Sequence, residues 1–197
     1  MSADVVLYCF DTMADWEYAY VTTVLGFQTR DGDGRFRLRT ASIEGREVRT
    51  LGGLRLLPDA ALGEVAPERV GALVLPGGNT WGEGHGEVLD LARTLLEREV
   101  PVAAICGATQ ALARAGLLEH HAHIVDADDD FPDYPGSSAR SHGVVAHDGP
   151  LITAVGEAPL EFSRALFLVL GLEDERGIDE WYASFKDVPD ARAARHG

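Results

Sequence analysis

The sequence predicts an α/β fold built on a doubly wound, mostly parallel sheet, and three observations predict it. Short unbroken apolar runs recur as "VVLYCF" (5–10), "VGALVLP" (70–76) and "VPVAAIC" (100–106). Runs of this length, rich in Val, Leu and Ile, have the character of strands buried on both faces. A helical pattern follows each one: "WEYAYVTTVLGF" (16–27), "EVLDLARTLLERE" (87–99) and "ATQALARAGLLE" (108–119). Strand alternating with helix is the mark of βαβ units. The composition, 46% hydrophobic and 25% charged, is that of a globular chain able to bury such a sheet.

The remaining segments are read in turn. Between 35 and 57, "RFRLRTAS", "EVRT" and "LRLLPD" are punctuated by Gly45 and the Gly52-Gly53 pair, which predicts strands of hairpin character. "GVVAHDGPLITAV" (143–155) predicts two strands around an Asp148-Gly149 turn. "PLEFSRALFLVLGL" (159–172) predicts a long core-packed helix ending near Gly171. No repeat, low-complexity tract or linker divides the 197 residues, so a single domain over 1–197 is expected.

With 17 basic and 32 acidic residues the net charge is −15. Such a chain repels phosphate backbones and anionic lipid, which argues against nucleic-acid and membrane-surface partners. No apolar stretch is long enough to span a bilayer. The opening "MSADVVLYCF" places an acid where a signal peptide carries positive charge, so a cytoplasmic protein is expected. Two cysteines do not make a disulfide framework, in keeping with a reducing compartment.

The chemistry is expected at Cys106. It ends a predicted central strand, and ligands of open α/β sheets bind at the carboxyl ends of strands. Gly107 and Ala108 are small enough for a sharp strand-to-helix turn. The helix that starts there favours a thiolate through its dipole, and the Gly107 amide can supply half an oxyanion hole. The bland alternative is a buried, inert thiol, which is the reading given to Cys9 inside "VVLYCF".

Two further strand ends carry candidates. In "PGGNTW" (76–81) paired glycines let an amide approach a ligand closely, while Trp81 either walls a pocket or packs. The following "GEGHG" (82–86) lacks the spacing of a phosphate-binding loop, and no nucleotide or other cofactor is expected. "DTMADWE" (11–17) puts Asp15 and Glu17 in a first helical turn, where carboxylates complement the dipole anyway. Two patterns are read as decoys. "DADDD" (126–130) lacks the Gly and Glu of a calcium loop and is expected to be a solvated loop. "HHAH" (120–123) lacks partner ligands and is read as surface histidines, so no metal is expected.

"ADWE", "LVLPGGNTW", "AAICGATQALARAGLL" and "DGPLITAVGEAPLEFSRALF", in this order, resemble the DJ-one/PfpI superfamily, which is related to class I glutamine amidotransferases. "ADWE" and "PLEF" look most like a bacterial intracellular protease/amidase branch. The resemblance covers about residues 4–172, leaving 173–197 as a C-terminal extension. It implies a flavodoxin-like sandwich and a homodimer. It implies a reactive Cys106 on a nucleophile elbow, with a protonated Glu17 donating to the sulfur and Gly78 and Gly107 supplying oxyanion amides. On that basis the thiol pKa is expected in roughly the 3.5–7.5 range. Asp15, Trp81 and Asp126 are the expected pocket residues. The chain departs from the family where protease-like members carry His after the nucleophile, since Gly107 stands there. It lacks a late His-x-Glu pair, and Asp126 occupies the position of a His in human-type members. Without a general base beside the thiol, amide hydrolysis has no donor for the leaving amine. The expectations are a thiol enzyme on a small carbonyl or amide substrate, or alternatively a stress or redox protein that oxidises Cys106.

Overall fold

In chain order the strands are β1 (Ala3–Tyr8), β2 (Phe36–Ser42), β3 (Val48–Arg49), β4 (Arg55–Leu56), β5 (Ala60–Ala61), β6 (Val70–Leu75), β7 (Val102–Ile105), β8 (Val145–Asp148) and β9 (Leu151–Ala154). The helices are α1 (Asp15–Arg30), α2 (Gly86–Glu97), α3 (Gly107–Arg114), α4 (Pro159–Leu170) and α5 (Glu175–Lys186). The chain is described by a computed structural model over residues 2–30, 34–127 and 131–186. Seven strands form one sheet in the order β5-β2-β1-β6-β7-β9-β8. All neighbours run parallel except β8 and β9.

The three apolar runs are the three central strands, and their residues from Val5 to Leu7, Ala72 to Leu75 and Val102 to Ile105 are inaccessible to solvent. Burial on both faces is why they read as continuous rather than alternating. Because β1, β6, β7 and β9 are parallel, their carboxyl ends lie along one edge of the sheet. The chain leaves β1 toward β2 on one side and reaches β6 on the other, so the switch in winding falls between β1 and β6.

The 35–57 region divides differently from the expectation. Residues 36–42 pair in parallel with β1 and belong to the main sheet, while only β3 and β4 make an antiparallel hairpin. An alternating pattern serves equally a partly exposed parallel strand, which is the physical reason the two were merged. The hairpin is held on the segment between β1 and α1 by backbone groups. Thr12 N–H donates to Arg49 O (2.8 Å) and Leu51 N–H to Met13 O (2.9 Å). Asp11 Oδ1 accepts the Arg49 amide (2.7 Å).

Two other boundaries differ. The helix expected over 108–119 stops at Arg114, because Gly116 turns left-handed at φ 68°. Gly116 N–H then donates to Ala113 O and Leu117 N–H to Leu112 O, each at 3.0 Å, which closes the helix with a glycine cap. The segment beginning at 173 carries α5, whose Trp181 ring lies 5.0 Å from that of Phe167 on α4. Residues 187–197 lie outside the described residues, as do the last three of "DADDD". The "HHAH" reading is corrected at one position: His123 is fully buried, with Nε2 2.7 Å from Tyr134 Oη and Nδ1 2.6 Å from His121 O. Among the described residues no group of side chains is arranged to hold a metal ion.

The stretch leading to Asp126 is pinned to the sheet by a threonine. Thr153 of β9, fully buried, accepts the Ile124 amide on Oγ1 at 2.7 Å. Thr153→Val keeps the shape and leaves that buried N–H unpaired, which costs about 1–3 kcal/mol. At roughly 2–4 °C per kcal/mol for a chain of this size, thermal denaturation will show a Tm several degrees lower. An unchanged Tm would mean the segment is not held through this bond.

Candidate functional site

Cys106 follows β7 and precedes α3, with φ 57° and ψ −131°. A non-glycine residue in this left-handed region costs of order 1–3 kcal/mol and persists only where the surroundings enforce it. The enforcing bonds are explicit. Cys106 N–H donates to Ala154 O of β9 (3.0 Å), and Cys106 O accepts both the Thr109 amide (2.9 Å) and the Thr109 hydroxyl (2.7 Å). The strained turn lifts the side chain off the strand, and Cys106 is half-buried whereas Cys9 is fully buried.

Glycines line the sulfur on two sides. A methyl group placed on Gly77 Cα would lie 2.6 Å from Cys106 Cβ and 2.9 Å from Sγ. One placed on Gly156 would lie 3.0 Å from Sγ. Neither position tolerates a side chain without displacing the cysteine. Gly77 is the first of the paired glycines expected at the end of β6, whereas Gly156 was missed in the sequence, although it too is a glycine just past the end of a buried parallel strand. Gly156 is clamped at both ends, its N–H donating to Asp126 Oδ2 (2.9 Å) and its carbonyl accepting Trp16 Nε1–H (3.0 Å). The Trp16 indole, 50% exposed, borders the site at the surface.

Glu17 enters from α1, where the buried residues Glu17, Val21 and Leu25 recur every four positions on one face. A carboxyl on that stripe has no access to water, and its exposure is zero. Oε2 accepts the Gly77 amide in a short hydrogen bond, and Oε1 has no such partner among the described residues. The neighbouring titratable group is the Cys106 thiol: a methyl placed on Gly77 would lie 2.8 Å from Glu17 Oε2 and 2.9 Å from Cys106 Sγ. Since Oε2 is committed as an acceptor, a proton carried by Glu17 belongs on Oε1, from which it can be donated.

The electrostatics correct one expectation. Burial, and after it the charge of Glu17, push the Cys106 thiol up to about 12, with the Gly107 amide acting in the opposite direction. The helix-start effect alone would lower it, but desolvation and adjacent carboxylates outweigh one amide. Glu17 is itself raised to about 7, chiefly by burial, against the pull of the Gly77 amide. Two such groups titrate as a pair, losing one proton near neutrality and holding the second far into the alkaline range.

The other expected residues lie at different distances from this centre. Gly107 begins α3, and its amide acts on the sulfur. Gly78 is bridged to Met13, and its N atom lies 3.8 Å from a methyl placed on Gly107. Asp126 stands against Cys106 across Gly156, the same methyl position being 3.3 Å from Oδ2. Asp15 is not at the sulfur: its Oδ2 accepts the Gly52 amide at 2.6 Å, tying the hairpin to α1. Trp81 is buried, with Nε1–H on Pro76 O (2.9 Å) and its ring 5.1 Å from Phe10 and 4.5 Å from His85. It is a wall behind the turn rather than an open pocket surface. His85 and His123 are committed to Tyr8 and Tyr134, and among the described residues no histidine acts on the charge of Cys106 or Glu17.

The raised Glu17 pKa has a consequence for stability. Its ordinary value is 4.5 and its folded value about 7, so the folded chain binds the proton more tightly than the unfolded one. The stability this gives is complete below pH 4.5 and is lost as pH rises through about 7. The loss amounts to up to about 3 kcal/mol. Glu17→Gln keeps an acceptor for Gly77 and a donor for the sulfur but does not ionise. Relative to the wild type, the variant will gain stability between pH 5 and pH 8 in denaturant titrations. A difference independent of pH would show that Glu17 is not desolvated.

Against this geometry the similarities to other proteins are consistent. A DJ-1/PfpI family model matches residues 3–168. The chain is 36% identical over 186 residues to "Uncharacterized protease YoaZ" of Bacillus subtilis (strain 168), covering 90% of this chain and 88% of that one. It superposes on the thiJ/pfpI family protein from Bacillus anthracis with a TM-score of 0.87 at 32% identity, covering 96% of this chain and 92% of the other. DJ-1 superfamily protein Atu0886 from Agrobacterium tumefaciens gives 0.77 at 29%, covering 94% and all of that chain. The flavodoxin-like sandwich, the ordered strand-end motifs and these similarities together place the chain in the DJ-1/PfpI family.

Proposed function

We propose that this protein is a cysteine-dependent enzyme acting on a small carbonyl compound, with Cys106 as nucleophile and Glu17 as proton carrier. The observation that carries the reading is the buried Glu17 carboxyl, fixed on Oε2 by Gly77 with Oε1 left unpartnered beside a strained cysteine. In the first step a lone pair of Sγ forms a bond to the carbonyl carbon. The carbonyl π pair moves onto oxygen, and the Gly78 and Gly107 amides are the donors we assign to it. The thiol proton passes through Glu17 to that oxygen, leaving a neutral hemithioacetal. The step uses only groups of this chain.

An aldehyde suits the site better than an amide. Expelling an amine needs a proton donor on the far side of the tetrahedral carbon, and among the described residues no histidine acts on the cysteine. The word protease in the name of the Bacillus subtilis relative is therefore not carried over. A second reading, redox sensing, is favoured by a single observation: Glu17 Oε1–H and the Gly107 amide would both donate to an oxidised sulfur. The two separate in one assay. Methylglyoxal will be consumed catalytically by the wild type, and Cys106→Ser will abolish turnover. Oxidation of Cys106 by peroxide without any turnover would replace the enzyme reading by the sensor.

The paired titration sets the pH profile. Alkylation of Cys106 by iodoacetamide will rise through about pH 7, as Glu17 loses its proton and becomes able to accept that of the thiol, and Glu17→Gln will remove that step. Cys9, fully buried in the continuation of β1, will stay unlabelled in the folded chain because the reagent has no access to it. A wild-type profile without an inflection near neutrality would separate Glu17 from the sulfur.

The working form we propose is a cytoplasmic homodimer. Leu51, Leu54 and Leu57 of the hairpin are 44%, 63% and 73% exposed, and Trp16 stands on the segment to which the hairpin is tied. Exposed leucines gathered on one docked hairpin are the kind of apolar patch that a second copy covers. Light scattering will give about twice 21.2 kDa, and Leu54→Glu will shift the mass toward the monomer. A monomeric wild type at micromolar concentration would remove the dimer.

A further inference from the structure

We infer that the Cys106 site selects its carbonyl substrate by charge, accepting neutral or cationic compounds and excluding anionic ones, with Asp126 as the discriminating residue. The inference rests on the reading of Cys106 as nucleophile and adds the class of molecule that reaches it.

The geometry starts at Gly156, which stands between the sulfur and the Asp126 carboxylate. A methyl group there would meet Cys106 Sγ at 3.0 Å and Asp126 Oδ2 at 3.3 Å. Sγ and Oδ2 therefore lie within a few ångströms of each other, and a molecule that reaches the sulfur meets the Asp126 carboxylate as well. Asp126 is not free to swing away, since Oδ2 accepts the Gly156 amide, and its own backbone is held at N by Thr109 and at O by Gln110. The charges that act on the Cys106–Glu17 pair are Glu17 itself, Asp126 and Glu157, all negative. The guanidinium of Arg140 bonds to the carbonyls of Val125 and Ala127, on either side of Asp126, and makes no ion pair with the Asp126 carboxylate among the described residues; its charge offsets part of the negative field without being seated on Oδ2. The net charge of −15 adds a long-range field of the same sign. A 2-oxo acid would bring its carboxylate beside that of Asp126, whereas an aldehyde or a 2-oxoaldehyde brings none.

The test compares two alkylating probes of the same size at pH 8, neutral iodoacetamide and anionic iodoacetate, following Cys106 by mass spectrometry. The measured quantity is the ratio of their rates, normalised to the same ratio for a small free thiol. Thiol ionisation affects both probes alike, so the ratio reports the local field alone. In the wild type the normalised ratio will fall about tenfold in favour of the neutral probe, as expected for a like charge a few ångströms away. Added salt will weaken the preference. Asp126→Asn keeps an oxygen for the Gly156 amide and removes the charge, and it will recover most of the loss. Glu157→Gln, with its side chain at the surface, will recover less. In turnover, methylglyoxal will be preferred to glyoxylate by the wild type, and Asp126→Asn will narrow the gap. A wild-type ratio equal to that of the free thiol, or one unmoved by Asp126→Asn, would overturn the charge selection while leaving Cys106 as nucleophile. Failure of iodoacetamide itself to label Cys106 would overturn both.

Discussion

The structure around Cys106 depends on one constraint, the accommodation of a carboxyl group that cannot reach water. Glu17 lies on the apolar face of α1, in line with Val21 and Leu25. A charged carboxylate there would be prohibitively costly unless hydrogen-bonded, and an amide from the end of β6 is brought to it. That amide can arrive only because residue 77 is glycine, for any side chain would collide with Cys106 and Glu17 together. The same crowding sets the cysteine in its strained conformation, held from behind by β9 and Thr109. Three strand ends and one helix face thus meet over a single buried proton.

That proton explains why the cysteine environment differs from the one a helix terminus alone would produce. A lone thiol at a helix start is acidified by the aligned amides. Here the Gly107 amide works against burial and a neighbouring carboxyl, and the balance moves upward. In the reaction we propose, Cys106 need not be a standing thiolate if its proton has somewhere to go during attack. Glu17, raised to about 7, is the group matched to that exchange.

How much of this was legible in the sequence follows from what each feature depends on. Strands buried on both faces leave an uninterrupted apolar run, so β1, β6 and β7 and the helices after them could be read directly. The turn at Asp148-Gly149 and the cap at Gly171 were legible because each requires a left-handed residue, and both glycines adopt one. The same rule was overlooked at Gly116, where the apolar pattern runs on past the cap. The parallel pairing of 36–42 was not legible, because alternation does not say which strand lies alongside. Cys106 and Gly107 were visible from their place at a strand end. For Glu17 the residues gave only a helix-start carboxylate, and the family resemblance supplied its role. The signal that was available is its spacing from Val21 and Leu25, which puts an acid on a buried stripe. Gly156 and Trp16 were invisible, since their importance arises from contacts about 140 residues apart in the chain.

The acidic neighbourhood then has a further meaning. A site whose first task were to hold an anion would gather amides and cations around the sulfur. This one holds Asp126 beside the reacting atom and uses it as a structural acceptor for Gly156. The carboxylate that fixes the wall of the site is thereby also the charge that an incoming molecule meets. Fixing the wall needs only an acceptor, and an amide oxygen would also accept the Gly156 N–H, in a weaker bond than the charge-assisted one. The charge thus strengthens the wall, and its effect also falls on whatever approaches Cys106.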